Sequence, residues 1–463
     1  MNPPLATDGR RSSDAPFAAV QALILQGRRA EALPILQDVV SGARNHPDLV
    51  SRAAMLFGQM SAHEQALDCH RGLARVLPGH PDVLRGLAAA ETACGELAAA
   101  DQHLDAAIAA DPADCDSWYN RAVLRRQTAS RNHVAALRAR IAQPSGRGIV
   151  ALAYAMAKEL EDLGDHAESF AWLKRGADAR RAAMSYRVES DVAAMATIAE
   201  VFSAEKLART APAANPARPI FIVGLPRTGT TLLERMLGMH SQVTALGELT
   251  ELPLAVTRAA AGGDKGETIR RAGEADFAAL GQDYLRAVAG YAPARPVTTD
   301  KLPNNFLYIG LLRLALPAAR IIHLRRSPMD SAYAIYKTLF RMGYPYAYDL
   351  NDLAKYYVAY HRLMRHWRAA AQGFVVDVDY EDLVSAPEAT ARRLFANLGL
   401  GWEPQCLDFH RHSSPVATAS AAQVREPVHT GSVGLWRHHE AGLADFSAGL
   451  RAEGVDPATG RSV

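Results

Sequence analysis

The chain has 463 residues, with 51 Lys and Arg against 49 Asp and Glu and a formal net charge of +2. That balance argues against a protein whose main task is holding nucleic acid, because a phosphate-tracking surface carries a large basic surplus. Hydrophobic residues at 49% and charged residues at 22% describe a globular chain, not a disordered one, and the length allows two or three domains.

The N-terminus, MNPPLATDGRRSSDAP, carries basic residues without the apolar core of about seven residues that a secretory signal needs. Residues 1–13 are read as disordered. No stretch approaches the roughly eighteen uninterrupted apolar residues of a membrane span. Cys69, Cys94, Cys115 and Cys406 are too thinly spread for a disulfide framework and show no CxxC spacing, which fits a reducing cytoplasm. Cys406, His410 and His412 fall close together, but no second ligand pair accompanies them, so no metal is expected.

Residues 14–207 are Ala-rich and repeat with a period of 34. His46-Pro47-Asp48 is echoed at His80-Pro81-Asp82, and Pro78 to Asp82 again at Pro112 to Asp116. Ala32, Ala66 and Ala100 recur in phase, followed eight positions on by Val40, Ala74 and Ile108. Small residues in phase are needed where paired helices approach closely, and an Ala-rich bundle of no fixed period would not keep the proline turns in register. Trp118-Tyr119 stands where a first helix should begin, and a further unit is expected at Ala151 to Ala182, turning at Leu163-Gly164-Asp165. This pattern resembles the tetratricopeptide repeat, whose helix pairs stack into a solenoid.

Residues 208–218, ARTAPAANPAR, are proline-rich without large apolar residues and read as a linker. Beyond it, the runs Pro219 to Val223, Arg320 to Leu324 and Phe374 to Val378 alternate with helical stretches, as in a parallel sheet covered by helices. Ser385-Ala-Pro-Glu388 reads as a capping box. The expected architecture is therefore an all-α tetratricopeptide-like solenoid followed by a P-loop-like α/β domain over 219–450, with a tail at 451–463.

The first run enters Gly224-Leu-Pro-Arg-Thr-Gly-Thr-Thr231 and then a helix. Strand, glycine loop and helix N-terminus make an anion cradle, in which backbone N–H groups and the helix dipole face the ligand. The spacing of Gly224 and Gly229 is that of a P-loop, but Thr230 stands where a nucleotide triphosphatase has lysine, and Arg227 is the cation of the loop.

Pro226 to Thr231 resembles the 5′-phosphosulfate loop of sulfotransferases, in the arginine form of tyrosylprotein sulfotransferases and their bacterial relatives, some of which carry an N-terminal tetratricopeptide array. The resemblance covers the second domain and implies 3′-phosphoadenosine 5′-phosphosulfate as sulfuryl donor, without a required metal. Arg227, Thr228, Gly229, Thr230 and Thr231 would then hold the 5′-phosphate and the sulfuryl group. The stretch Arg326, Pro328, Asp330 is similar to the family's 3′-phosphate element, except that Ala334 replaces its serine eight residues after the arginine, leaving Ser331 to take over part of that role. Val378 to Leu383 resembles the stretch whose tyrosine packs by the adenine, which points to Tyr380. Arg425 to Arg437 is similar to the C-terminal loop over the nucleotide, with Ser432, Trp436 and Arg437 as implied contacts.

Sulfuryl transfer needs an in-line displacement at sulfur, a base for the acceptor hydroxyl and cations for the charge growing on the leaving phosphate. Glu248 resembles the family's base, with Glu251 in reserve, and Lys301 resembles the lysine whose ammonium meets the bridging oxygen. Only seven of the 51 basic residues are lysines, which raises the weight of one at a strand end. Arg227, Glu248 and Lys301 are thus the expected catalytic residues. The acceptor is expected to be a protein or peptide bound through the helical groove, a tyrosine hydroxyl being one candidate. An inactive scaffold with a nucleotide domain and a P-loop nucleotide kinase are the competing readings.

Overall fold

The computed structural model describes residues 8–43, 46–143, 148–260, 262–340, 343–412, 414–418 and 420–462. The expected disordered stretch at 1–13 lies outside the described residues up to residue 7, and from Asp8 onward the chain is helical.

The first part consists of antiparallel helix pairs: α1 (Asp8–Leu25) with α2 (Arg29–Gly42), α3 (Pro47–Gln59) with α4 (His63–Val76), and α5 (Pro81–Cys94) with α6 (Leu97–Ala110). Helices α3, α5 and α7 (Cys115–Leu124) start 34 residues apart, and Pro47 and Pro81 each occupy the first helical position, where a missing N–H costs nothing. Ala32, Ala66 and Ala100 are buried at the helix contacts, where a larger side chain would push the pairs apart. After α7 the period breaks. Arg125 and Arg131 both pair with the buried Asp101 of α6, holding a small turn before α8 (Val134–Ile141). The pairing resumes with α9 (Ile149–Asp162) and α10 (His166–Ala182); Asp165 caps α10 by accepting from the Glu168 N–H at 3.1 Å. Helices α11 (Val188–Val201) and α12 (Ala204–Arg209) close this part, and residues 211–219 form neither helix nor strand.

The second part holds a five-stranded parallel sheet, ordered β2 (Val243–Ala245), β3 (Val297–Asp300), β1 (Ile220–Val223), β4 (Arg320–Arg325) and β5 (Val375–Asp379). Between the strands lie α13 (Thr230–Gly238), α14 (Glu251–Ala260), α15 (Lys265–Ala272), α16 (Phe277–Ala289), α17 (Ile309–Ala315), α18 (Pro328–Tyr336) and α19 (Leu350–Ala370), and after β5 come α20 (Tyr380–Ser385), α21 (Pro387–Leu398) and α22 (Ala444–Ala452). Side chains of β1 alternate between two cores: Phe221 and Val223 join a large one, Ile220 and Ile222 a smaller one under α13 and α21. The large core also takes Tyr154, Leu173, Met195 and Phe202, so the last helical units share apolar burial with the sheet. Strand β1 has β3 and β2 on one side and β4 and β5 on the other, which places a crevice at its carboxyl end, where open α/β sheets bind ligands.

One local expectation differs from the structure. Ser385 does not cap α21: its hydroxyl donates to the Glu381 carbonyl at 2.7 Å within α20, and Ala386 occupies the N-cap ahead of Pro387. The tail is anchored, since Val455 is buried in the large core and bridges to Ser462. Among the described residues no helix is long and apolar enough to cross a membrane.

Candidate donor and acceptor site

Each of the five strands delivers a candidate residue from its carboxyl end. The phosphate loop follows β1, Glu248 comes three residues after β2, and Lys301, Arg326 and Tyr380 directly follow β3, β4 and β5. Parallel strands all point the same way, so residues remote in sequence meet along one edge of the sheet.

The loop after β1 depends on its glycines. Gly224 has φ +155° and a Cβ there would stand 2.6 Å from the Leu324 carbonyl; Gly229 has φ +97° and a Cβ would stand 2.5 Å from the Tyr380 ring. Arg227 itself adopts φ +66°, a conformation that a side-chain-bearing residue keeps only when its surroundings enforce it. Its guanidinium donates to the Ser420 hydroxyl and, at 2.7 Å, to Gln423 Oε1. Thr230 and Thr231 are buried at the N-terminus of α13 and line the cavity, with the Thr231 hydroxyl 3.4 Å from that of Thr418. The Thr228 hydroxyl donates to the Leu225 carbonyl at 2.8 Å, so this side chain holds the turn of the loop and leaves the backbone to meet a ligand.

Arg326 reaches across to the loop. It donates to the Arg227 carbonyl at 3.0 Å and to the Ser432 carbonyl at 2.6 Å, and its guanidinium lies 4.7 Å from the centre of the Tyr380 ring. Its Nε is buried without a partner. Burial, chiefly, and the charge of Arg326 push the Arg227 guanidinium down to about 10, which leaves it cationic at neutral pH. Neither arginine forms an ion pair with a carboxylate among the described residues. The Tyr380 hydroxyl lies 2.7 Å from that of Ser432, and Asp330 accepts the Gly434 N–H at 2.9 and 3.0 Å, which ties the C-terminal loop to α18. Ser331 is buried and its hydroxyl donates to the Arg326 carbonyl at 3.3 Å, supporting the arginine's backbone.

Lys301 is fully buried and donates through Nζ to Glu248 Oε1 at 2.5 Å, while Glu248 is exposed to the cavity. Beneath them the buried Glu234 of α13 accepts from the Gly247 N–H and the Thr299 hydroxyl, each at 2.9 Å, and burial holds its carboxyl above the usual range. Burial likewise raises Asp300 well above the usual carboxylate range, between the Tyr284 hydroxyl and the Asn305 amide.

The other expected residues are placed differently. Glu251 is buried under the Tyr291 hydroxyl at 2.5 Å and does not line the cavity. Arg437 lies 5.3 Å over the Trp436 ring, Trp436 packs on the large core, and the cavity wall takes Ser432, Leu435 and His438 in their place. Thr418, Ser420 and Gln423 are additions from the structure; the small polar stretch that carries them has no motif spacing. Among the described residues no group of three His, Cys, Asp or Glu is arranged to hold a metal ion.

The cavity has a volume of about 1480 Å³ and runs from the phosphate loop and Glu248, past Phe340 and Tyr344, to Arg126, Asn120 and Asp82 of the helical part. Tyr119 accepts the Leu339 N–H at 3.2 Å, joining the two parts along this wall.

A 417-residue alignment with an uncharacterized protein of Aquifex aeolicus (strain VF5) is 28% identical and covers 87% of this chain; the chain spans about half (54%) of that relative's length. Protein-tyrosine sulfotransferase A of Caenorhabditis elegans is 26% identical over 272 residues, covering 51% of this chain and 67% of the relative. The solved sulfotransferase domain from the curacin biosynthetic pathway is 19% identical, with a TM-score of 0.32, covering 49% of this chain and 99% of that one. Residues 219–404 match the sequence model of the Sulfotransferase family, and this part of the chain is a domain of that family.

Proposed function

We propose that the protein is a sulfotransferase that moves a sulfuryl group from 3′-phosphoadenosine 5′-phosphosulfate to an acceptor hydroxyl. The observation that carries the reading is the pair Arg227 and Arg326: two neighbouring guanidiniums, both without a carboxylate partner among the described residues, around a phosphate loop that lacks the triphosphatase lysine. Like charges held together favour a polyanion with two separated phosphates. The buried, unpartnered Nε of Arg326 and the side-chain-free cradle at Gly224 and Gly229 fit such a ligand.

In this reading Arg227, Thr230 and Thr231 with the loop backbone hold the 5′-phosphosulfate, Arg326 and Ser432 serve the 3′-phosphate, and Tyr380 flanks the adenine. The donor supplies an activated sulfuryl group on a good leaving group. Glu248 takes the proton of the acceptor hydroxyl as that oxygen bonds to sulfur. The bond from sulfur to the phosphate oxygen breaks, and Arg227 and Lys301 meet the charge left on the phosphate. No metal is assigned a part.

The protein-tyrosine sulfotransferase relatives and the continuous cavity support a polypeptide acceptor lying along the helical part, with a tyrosine hydroxyl presented at Glu248 between Phe340 and Tyr344. The chain is accordingly divided into a tetratricopeptide-like array over 14–207, a linker over 208–218 and the transferase over 219–450. A screen with labelled donor against tyrosine peptides, glycans and phenols tests this. Transfer to tyrosine peptides is expected; transfer to glycans alone overturns the acceptor. Ala334, which offers no hydroxyl, favours the inactive-scaffold reading, and that reading holds if the screen shows donor binding without transfer to any acceptor.

A further inference from the structure

The segment that meets the phosphate loop is fastened at both ends to one carbonyl of the helical part. Val416 N–H donates to the Ala93 oxygen at 2.7 Å, and Arg425 Nη2 donates to the same oxygen at 3.2 Å. Ala93 lies in the last turn of α5, where carbonyls have no partner within the helix and a cation complements the dipole. The helix ends on Gly95 at φ +89°, and a Cβ there would stand 2.3 Å from Arg425 Cζ, so the guanidinium lies where a side chain is missing. Between the two fastenings, Thr418 meets Thr231, and Ser420 and Gln423 accept from Arg227. Val416, Ala421 and Val424 bury one another, which gives the segment a shape of its own.

We infer that Arg425 is a positioning residue for Arg227. By holding the segment on α5 it keeps Gln423 and Ser420 on the guanidinium, and these contacts hold Arg227 in its left-handed conformation. The helical array is then part of the donor site as well as a place for the acceptor, and displacement of the end of α5 alters donor affinity. The inference rests on the donor reading above.

Calorimetric titration with adenosine 3′,5′-bisphosphate of the full chain, Arg425→Met, Gln423→Ala and the double variant tests it. Binding by the unaltered chain is measured first, and its absence defeats the donor reading, not this inference. Given binding, Arg425→Met is expected to weaken it about tenfold, with the double variant no weaker than the weaker single, because both changes release the same guanidinium. Donor KM rises while acceptor KM stays, and Arg425→Lys restores most of the affinity. Gly95→Ala probes the same contact from the helical side and is expected to reproduce the loss. Unchanged affinity in both Arg425→Met and Gly95→Ala, or losses that multiply in the double variant, overturns it.

Discussion

Lys301 donates to Glu248 across 2.5 Å, joining the end of β3 to the loop after β2. The Lys301 N–H also donates to the Gly247 carbonyl at 2.8 Å, and Gly247 donates to Glu234 at 2.9 Å, so backbone and side chains fix the pair together. One of these residues is assigned to the acceptor proton and the other to the leaving oxygen. Their contact brings both ends of the displacement within reach of one site.

Glu248→Gln keeps the shape and the hydrogen bond from Lys301 but removes the base. Turnover is expected to fall by roughly 10² to 10⁴, with bisphosphate affinity within about twofold of the unaltered chain. Steady-state kinetics beside calorimetry check this; normal transfer by the variant removes Glu248 from its role.

Lys301→Met removes a buried ammonium and leaves Glu248, already exposed, to solvent. Breaking a pair is costly when it strands a buried charge; Glu248 is exposed, and the buried Glu234, which also loses the nearby ammonium, has a carboxyl already raised by burial and can take up a proton instead. The thermal midpoint is expected to hold within a few degrees while turnover falls by about 10² or more. A large loss of stability with normal turnover in the remaining folded protein would make Lys301 a structural residue.

Gly229 and Gly247 both adopt positive φ, +97° and +78°, but only Gly229 faces an obstacle, the Tyr380 ring. Alanine at either position costs about 1 to 3 kcal/mol in backbone strain. Gly229→Ala should in addition displace Tyr380 from Arg326 and lower bisphosphate affinity about tenfold or more, whereas Gly247→Ala should not. Equal affinities in the two variants would place Tyr380 outside the donor site.

His439 is buried against the Tyr333 ring at 4.3 Å, with both ring nitrogens unpartnered. Burial, chiefly, pushes it from 6.5 down to about 4, against the pull of Glu161, with His166, His438 and Lys337 adding to the depression. The folded state therefore resists a proton that the unfolded chain accepts near 6.5. The stability this contributes is present above that pH and is lost as pH falls toward 4. Relative to His439→Phe, the unaltered chain is expected to lose on the order of 2 kcal/mol between pH 7 and pH 5. Parallel unfolding curves of the two proteins across that range would show that His439 does not drive the change.

Three of the five strands are legible from their β-branched runs, those of β1 and β4 being buried on both faces and that of β5 only partly buried. Val243-Thr-Ala and Val297-Thr-Thr-Asp escape notice because each is short and has a single large apolar residue. The residues ending β1, β3, β4 and β5, and Glu248 after β2, stand in local motifs that survive in one dimension. Ser420, Gln423 and Thr418 do not: their position follows from bonds to Arg227, Thr231 and Ala93, which lie far away in sequence. The 34-residue period was readable up to α7 and lost where long-range pairs with Asp101 take over from helix stacking. Trp436 and Arg437 stand in a motif in sequence, and their side chains contact each other and, like those of Arg326 and Tyr380, do not line the cavity.

In the proposed function, the loop after β1 and Arg326 after β4 receive a nucleotide with separate 3′ and 5′ phosphates. Titration of the full chain with adenosine 3′,5′-bisphosphate, beside ATP with magnesium, tests it most directly. Saturable binding of the bisphosphate at micromolar concentration, abolished by Arg227→Ala and retained by Glu248→Gln, is the predicted result. No binding of the bisphosphate at millimolar concentration, or binding of ATP with magnesium in its place, would contradict it.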